Sequence, residues 1–406
     1  MVKLFWRSLF LFSAFGLAYL LFWPIPIDPE AYEPAPDPGL SGAFAPNNLL
    51  GNAQRLILPE GADGPEDFAV LPDGLYTADV NGGLFRLEGK SFIKVADLGG
   101  RPLGLDEGPD GALYIADSFR GLMRWTKDEG LTSLVTEIDG DPVVYANQLD
   151  VAQDGTIYFS NSTDRFDPET LGGTKPTSVM TIFEQSRTGY VARRTPDGTV
   201  EKIASGFVYT NGVVLSPDES YLLIAESGRA AIHKLWLTGN REGQLEPFLT
   251  GLPGYPDNLE PGENGTFWVA FASPRVPAEA LMPYPFLRKV VWRLGPYVRP
   301  APIEHGMVAQ YDSDGKVLRV LQDANGTLGI TTGARVIGGH LYVTMLEGPF
   351  AARMVLETPL RSRLIKGSLG LQDFQLAALC QSPFLADVSP SVGRTAASVH
   401  VVGCLM

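Results

Sequence analysis

The chain has 406 residues, 45% of them hydrophobic and 19% charged, which is ordinary for a globular protein and excludes a disordered chain. Its 46 acidic residues outnumber 32 lysines and arginines, and the net charge of -14 argues against a nucleic-acid partner, since binding phosphates requires a basic face. The two cysteines, Cys380 and Cys404, exclude a disulfide framework or a CxxC metal site as the organiser of the fold, and whether they pair stays open.

The first element is an apolar N-terminal segment. Lys3 and Arg7 precede an apolar run that ends at Trp23, which favours an uncleaved membrane anchor over residues 1–23. A cleaved signal peptide is the alternative, but the run ends in Leu-Phe-Trp-Pro and lacks the small-x-small site that cleavage prefers. Because the positive charges lie on the short side, we expect a single-pass protein whose long part is extracytoplasmic. Residues 24–50 read as a proline-rich linker that spaces the next domain from the membrane.

Between residues 51 and 358 one phrase recurs, consisting of a tight turn, an alternating strand, a polar break and another strand. The copies begin at Pro72, Pro109, Gln153, Pro217, Glu263 and Gly338. Asp-Gly and Asn-Gly mark hairpin turns, and the alternation marks half-buried strands. A single copy has too little apolar surface to be stable alone, so the copies must pack together, and radial packing gives a propeller. The sequence predicts an all-β fold, a six-bladed β-propeller, and residues 54–61 are available as the outer strand of the last blade. A β-sandwich or solenoid fits the uneven spacing less well.

One register of this repeat carries polar side chains. Eight residues before the turn glycine, or before Glu219 in the fourth copy, stand Glu66, Leu103, Asn147, Asn211, Asp257 and Thr331. Equivalent positions on innermost strands converge on the propeller axis, so four oxygen-bearing side chains are expected to meet there. Two carboxylates and two carboxamides suit Ca²⁺ better than Mg²⁺, with Asn258 or water completing the shell. Taken singly, each of these residues is better explained as a turn or capping residue, and the occurrence of four at one register is what favours a metal.

The segments 207–236 and 252–271 carry a family resemblance. Their Asn-Gly-Val and Pro-Asp-Asn phrases resemble the strictosidine synthase-like family, which is similar to the paraoxonases and gluconolactonases, and the likeness covers about residues 55–356. The resemblance implies a six-bladed propeller and an N-terminal membrane anchor. In the calcium-dependent relatives it further implies one catalytic calcium, whose ligands match Glu66, Asn147, Asn211, Asp257 and Asn258.

The chain departs from the family pattern at two places. Leu103-Gly104 stands where paraoxonases have His-Gly, so the histidine proposed there as a base is missing. Thr331 and Thr332 stand where the plant alkaloid synthase has a glutamate, which argues against condensation of an amine with an aldehyde. We expect Leu103, Thr331 and Thr332 to border the substrate pocket instead.

These residues predict metal-assisted hydrolysis of a small apolar ester or lactone. Ca²⁺ polarises the substrate oxygen in this hypothesis, and Asp257 attacks or activates a water, although Glu66 is an equally open choice of base. The competing hypothesis is a non-catalytic propeller that binds a ligand or protein and uses calcium structurally, and condensation chemistry is the least favoured.

Two inserts are expected to border the pocket. Residues 163–189 separate two strands of the third blade and are expected to contain a short helix, and residues 273–304 form the second insert. Within the second insert, residues 281–298 mix apolar and basic side chains, which is typical of a lid or membrane-surface helix. A helix packed on the propeller rim is the alternative. Residues 359–406 lie beyond the repeat and are expected to form a C-terminal extension.

Overall fold

Strands account for most of the structure. The computed structural model describes residues 2–356, which contain 26 β-strands and three α-helices. The helices are α1 (Val2–Phe22), α2 (Thr174–Glu184) and α3 (Pro285–Arg293). The predicted extension over residues 359–406, with both cysteines, lies outside the described residues.

The strands form six antiparallel blades, which confirms the predicted propeller. Blade 1 consists of β2 (Phe68–Leu71), β3 (Gly74–Ala78), β4 (Gly83–Glu88) and β5 (Ser91–Asp97). Blade 2 consists of β6 (Pro102–Glu107), β7 (Leu113–Asp117), β8 (Gly121–Thr126) and β9 (Gly130–Val135). Blade 3 consists of β12 (Ala146–Val151), β13 (Ile157–Asn161), β14 (Gly189–Arg194) and β15 (Val200–Phe207), and a small hairpin, β10 (Glu137–Ile138) with β11 (Asp141–Pro142), precedes it.

The remaining three blades repeat this arrangement. Blade 4 consists of β16 (Thr210–Leu215), β17 (Tyr221–Glu226), β18 (Ala231–Trp236) and β19 (Leu245–Leu249). Blade 5 consists of β20 (Gly254–Pro261), β21 (Phe267–Pro274), β22 (Gly306–Tyr311) and β23 (Val317–Asp323). Blade 6 consists of β24 (Thr331–Ile337), β25 (His340–Met345), β26 (Phe350–Val355) and β1 (Gln54–Ile57).

The ring is closed by a strand from the beginning of the repeat region. β1 pairs antiparallel with β26, and Leu56 lies opposite Ala351, which confirms the predicted outer strand of the last blade. A single parallel bridge from Ile57 to Ser91 then joins this sheet to blade 1. Leu56 is fully buried, so closure is stabilised by apolar packing as well as by backbone hydrogen bonds.

The first strand of each blade is the innermost one, and several of these strands are irregular at their pocket end. In β12, β16, β20 and β24 the pairing register shifts just after the strand begins. The shifted residues include Asn147, Asn211 and Asp257. A β-bulge re-aims side chains and is common beside active sites, so the bulges explain how neighbouring blades present these residues to the axis.

Two glycines allow the inner strands to approach closely. A Cβ atom on Gly212 would lie 2.3 Å from the backbone nitrogen of Leu259, and one on Gly104 would lie 2.6 Å from the Cα of Gln148. These contacts are with backbone, which cannot swing aside. The glycine that follows Asn211 is therefore a packing requirement of blades 4 and 5.

The linker after α1 follows the propeller surface. Ile27 is buried in a cluster with Phe183 of α2, Met282 of the segment before α3, and Trp292 of α3. Further along, Phe44 joins the core of blade 5 and Leu50 joins that of blade 6. The linker thus packs as a strap and does not stand free as the spacer that its proline content predicts, because its few apolar side chains find tertiary partners.

Candidate functional site

A pocket of about 900 Å³, including its open mouth, lies at the end of the axis where the inner strands begin. Its floor contains five of the six side chains of the predicted register: Glu66, Leu103, Asn147, Asn211 and Asp257. Five different inner-strand ends are needed to bring them together, so the site exists only in the closed ring.

The two carboxylates of the floor are buried close enough to influence each other. Burial raises the pKa of Glu66 to about 7, against a lowering effect of the Arg101 guanidinium. Burial, and then the charge of Glu66, raise the pKa of Asp257 well above its usual range, while a hydrogen bond with the Asn211 side chain acts in the opposite direction. Two desolvated acids that repel each other are a costly arrangement in the absence of a compensating cation.

The amide side chains are oriented by their surroundings. Asn147 donates its Nδ2 to Ser162 Oγ at 2.9 Å, which leaves its oxygen available. The buried Oδ1 of Asn211 has no hydrogen-bond partner in the described part of the chain. A buried acceptor without a donor is uncommon in a native fold. It is the group in this pocket that most directly suggests a missing ligand.

Three side-chain groups donate hydrogen bonds to the backbone carbonyl of Glu66. Asn258 Nδ2 donates at 3.2 Å, Thr332 Oγ1 at 3.0 Å and Thr344 Oγ1 at 2.8 Å. Asn258 and Thr332 are buried beside the floor and are not among the residues that line the pocket. Their hydrogen bonds tie blades 5 and 6 to blade 1 and position Glu66.

Thr331, like Thr332, lies behind the pocket and does not line it. Thr331 is fully buried, and its hydroxyl lies 2.9 Å from the carbonyl oxygen of Phe271 and 3.0 Å from that of Met307. Leu103 alone of the three residues expected at the pocket border lines the cavity. The last blade therefore supplies structural hydroxyls at this register and no titratable group.

Arg101 is a site residue that the register argument missed. Its guanidinium forms a buried ion pair with Glu66, and its Nη1 has no hydrogen-bond partner among residues 2–356. Arg101 precedes Leu103 by two residues. It supplies a fixed positive charge behind Glu66. A guanidinium of this kind cannot act as a base, unlike the histidine that paraoxonases have in this blade.

The positions two residues before the register carry a second set of pocket groups. They are Gly64, Arg101, Tyr145, Tyr209, Tyr255 and Gly329, and the three tyrosines all line the cavity. The hydroxyls of Tyr145 and Tyr209 lie 2.7 Å apart, and burial raises the pKa of both. Reading this second register along the repeats would have identified them from sequence.

Tyr209 has an unusual backbone conformation. Its φ of 58° lies in the left-handed region, which is uncommon for a bulky residue and is typically maintained at functional sites. Hydrogen bonds around it, including one from Ser227 N to its carbonyl at 3.1 Å, fix the turn. The conformation places an aromatic hydroxyl in the pocket, 2.7 Å from that of Tyr145.

The pocket walls come from the two inserts and are mainly apolar. α2 contributes Val179, Ile182 and Phe183, confirming a short helix in the first insert, and the second insert contributes Val276 and Met282. At the mouth, Lys175 forms an ion pair with Glu347 at 2.8 Å. A polar floor beneath apolar walls is typical of a site for a small, largely apolar molecule.

The donor set has the character of a site for a hard cation, with one restriction. In the described range no group of three or more His, Cys, Asp or Glu residues is placed to hold a metal. A cation here would depend on two carboxylates and on amide oxygens, which is the ligand chemistry of calcium. The unpaired Asn211 oxygen and the repulsion between Glu66 and Asp257 fit such an ion, whereas the Arg101 ion pair competes for one oxygen of Glu66.

Two family models match the chain. One, described as strictosidine synthase-like, N-terminal, matches residues 42–87, and one described as strictosidine synthase matches residues 147–240. Strictosidine synthase-like 13 of Arabidopsis thaliana is 32% identical over 344 residues, covering 73% of this chain and 82% of that protein. The adipocyte plasma membrane-associated protein of Danio rerio is 29% identical over 359 residues, covering 82% and 84%.

Solved structures share the fold at low identity. A gluconolactonase from Xanthomonas campestris aligns with a TM-score of 0.54 and 20% identity, covering 76% of this chain and 91% of that one. The calcium-binding protein regucalcin from Agrobacterium tumefaciens aligns with a TM-score of 0.51 and 17% identity, covering 74% and 93%. At these identities the likeness establishes the propeller alone. The sequence relationship to the Arabidopsis protein is closer and spans most of both chains, and the chain belongs to the strictosidine synthase-like family.

Proposed function

We propose that the protein is a membrane-anchored, calcium-dependent hydrolase of apolar esters or lactones. The observation that carries the proposal is the pocket floor, where two buried carboxylates that repel each other lie beside the unpaired amide oxygen of Asn211. The similarity to a gluconolactonase and to a calcium-binding propeller supports it. α1 is long and apolar enough to cross a membrane, and the positive charges in its first two turns, Lys3 and Arg7, support an extracytoplasmic propeller.

The residues that would hold the calcium ion are Glu66, Asn147, Asn211 and Asp257, with Asn258 in the adjacent shell. When bound, calcium supplies Lewis acidity toward the carbonyl oxygen of the substrate and offsets the two negative charges. Arg101 and the three donors to the Glu66 carbonyl fix one side of this set before any ligand arrives. Preorganisation of this kind lowers the cost of binding.

Asp257 is the better candidate for the base. One oxygen of Glu66 is committed to Arg101, whereas Asp257 has no ion-pair partner in the described part of the chain. In the proposed reaction Asp257 takes a proton from the attacking water, the ester C–O bond breaks, and the departing alkoxide receives the proton. The products are one carboxylic acid and one alcohol. Attack by Asp257 itself is the alternative. In a single turnover in ¹⁸O-labelled water, the label can enter the carboxylate of Asp257 only if Asp257 attacks, whereas general-base catalysis places it in the product acid.

Tyr145 and Tyr209 would act on the substrate oxygen or on the leaving group. Their hydroxyls form a hydrogen-bonded pair within the cavity, and Tyr145 also lies 3.2 Å from the carbonyl oxygen of Thr174 at the start of α2. Since burial raises the pKa of both groups, they remain protonated donors at neutral pH. One of these hydroxyl protons must turn from its present acceptor to the substrate before the pair can stabilise a developing negative charge.

A second candidate is a non-catalytic propeller that binds a ligand or partner around a structural calcium. The observation in its favour is the Arg101–Glu66 ion pair, which already neutralises one of the two acids. Leu103 adds no titratable group in the blade where related hydrolases place a histidine. On this hypothesis calcium raises the melting temperature and no turnover accompanies it.

The test is hydrolysis by the full-length protein in detergent, using phenyl acetate and a series of lactones with calcium and then with a chelator. Asp257→Asn is the key variant, and Asp314→Asn, in a turn at the opposite end of the propeller, is the matched control. We expect loss of turnover with chelator and at least a ~100-fold lower kcat for Asp257→Asn. Turnover that survives both changes would overturn the proposed site.

A further inference from the structure

The end of the membrane helix is attached to the rim of the pocket. Tyr19 Oη donates to the carbonyl oxygen of Arg293 at 3.0 Å, and Arg293 donates back to the carbonyls of Trp23 at 2.7 Å and Leu20 at 3.1 Å. Arg293 is the last residue of α3. The contacts use carbonyls at the end of α1, which have no partner within the helix.

This attachment determines where α3 lies relative to a bilayer. α1 has 21 residues and, at about 1.5 Å per residue, is roughly 31 Å long. That length matches the ~30 Å hydrocarbon core, so the end of a spanning α1 reaches the interface. Tyr19 and Trp23 at this end are the aromatic types that favour the interface. α3 must then lie at the same level.

The rim itself exposes apolar side chains on this side. We define the rim patch as residues 284–303, that is α3 and the segment after it. The large apolar side chains exposed in it are Tyr284, Phe286, Leu287, Leu294, Tyr297, Val298 and Ile303. Tyr297 is fully exposed and Phe286 is 56% exposed. Exposed large apolar side chains concentrated in one segment indicate an interaction surface.

The position of the basic groups indicates a shallow location. Lys289 pairs with Asp28 at 2.6 Å, and Arg299 stacks over the Trp292 ring at 4.1 Å. Cations interspersed with exposed aromatic residues suit the headgroup level better than the hydrocarbon core. Because the chain has a net charge of -14, general electrostatic attraction to anionic lipid is not the cause; the anchor and the apolar side chains are.

The segments on either side of α3 also line the pocket. Val276, Ala278 and Met282 precede α3, and Pro300, Ala301 and Pro302 follow it, and all six are cavity-lining residues. The opening is thus framed by the element that α1 holds at the membrane.

We propose that the rim patch lies in the membrane interface beside α1, so that the pocket opens onto lipid and receives its substrate from the bilayer. The occupant of the patch is the lipid surface, and the substrate class is an amphiphilic ester or lactone with a long apolar chain. The substrate class rests on the proposed hydrolase function, whereas the position of the rim patch is independent of it.

The position is tested with an environment-sensitive dye on single cysteines in the full-length chain, with Cys380 and Cys404 replaced by serine. Tyr297→Cys reports on the rim patch. Leu245→Cys is the matched control, since Leu245 is an exposed apolar residue of β19 at the end of its blade away from the pocket. In phosphatidylcholine vesicles we expect a blue-shifted emission and quenching by nitroxide lipids at position 297 and neither at 245. Equal, water-like emission and no quenching at both positions would overturn the proposal.

Access from the bilayer is tested by kinetics. The double variant Phe286→Asp with Leu287→Asp changes exposed residues that do not line the cavity. We expect it to slow hydrolysis of a long-chain ester dispersed in vesicles by several-fold and to leave a short, water-soluble ester unaffected. Equal effects on both esters would refute access from the bilayer. If the unmodified protein hydrolyses neither ester, the proposed function fails while the dye measurement still decides where the rim patch lies.

Discussion

Removing the positive charge of Arg101 tests how much this charge stabilises the buried carboxylate of Glu66. Arg101→Met keeps most of the apolar stem of the side chain and deletes the guanidinium. Above its raised pKa, Glu66 is then left as an uncompensated buried carboxylate, because its ion pair with Arg101 is its only one in the described part of the chain. The protein should lose stability, and the loss should depend on pH and on calcium.

The size of the loss follows from burial. Only 5% of the Arg101 side chain and 8% of the Glu66 side chain are exposed, so solvent screens the pair little. Breaking a buried ion pair by removing one partner costs about 3–5 kcal/mol. At about 2.1 cal/mol/K per residue, a propeller of about 300 residues has an unfolding entropy near 0.6 kcal/mol/K, so its Tm should fall by about 5–8 °C.

The dependence on pH has a definite sign. The pKa of Glu66 is already raised to about 7 with Arg101 present, and Arg101 lowers it, so the variant has a still higher pKa. A raised carboxyl pKa gives stability that is complete below the usual pKa of about 4.5 and is lost as pH rises through the raised value. The difference in Tm between the variant and the parent should therefore be larger at pH 8 than at pH 6.

The assay is thermal unfolding of the full-length protein, with chelator and with calcium, for Arg101→Met, Glu66→Gln and the double variant. Arg193→Met, which breaks an exposed ion pair with Glu201, is the control and should change stability by less than ~1 kcal/mol. Calcium should restore much of the loss in Arg101→Met, because the ion can compensate Glu66. A variant that melts within a degree of the parent in chelator at pH 8 would show that the ion pair does not stabilise the site.

Three further changes test other parts of the structure. Asp150→Asn should flatten the decrease in Tm between about pH 4 and pH 8, since burial and a neighbouring aspartate raise the pKa of Asp150 to about 7; an unchanged pH profile would contradict this. Thr332→Val removes one of the three donors to the Glu66 carbonyl and should weaken calcium binding about 10-fold by calorimetry, with unaltered affinity counting against a positioning role. Gly212→Ala should destabilise the protein by about 1–3 kcal/mol in denaturant unfolding, because its Cβ would lie 2.3 Å from backbone, and a neutral result would mean that blades 4 and 5 can separate.

Local regularities explain why the blades could be predicted. A turn residue follows the inner strand in every blade, Glu219 in blade 4 and glycine in the others, and counting back eight residues from it located Glu66, Asn147, Asn211 and Asp257 at the pocket floor. The closing strand was also predictable, because residues 54–57 form a strand without a partner in their own copy.

Other features depend on contacts that no local pattern records. The Arg101–Glu66 ion pair joins two blades, and a lone arginine between Gly100 and Pro102 gives no sign of its partner. The path of the linker depends on where Ile27 and Phe44 find apolar neighbours. The roles of Thr331 and Thr332 could not be read from their register, because whether a hydroxyl faces the cavity or a backbone carbonyl is decided by packing of the last blade against the first.

We propose that the propeller axis holds one calcium ion between Glu66, Asn147, Asn211 and Asp257. The most direct measurement is equilibrium dialysis of the chelator-treated full-length protein against radioactive calcium, in parallel with Asp257→Asn and Asp314→Asn. The proposed site predicts one calcium ion bound per chain in the parent and in Asp314→Asn, and none at the same free calcium concentration in Asp257→Asn. Calcium bound equally by all three proteins, or by none of them, would contradict it.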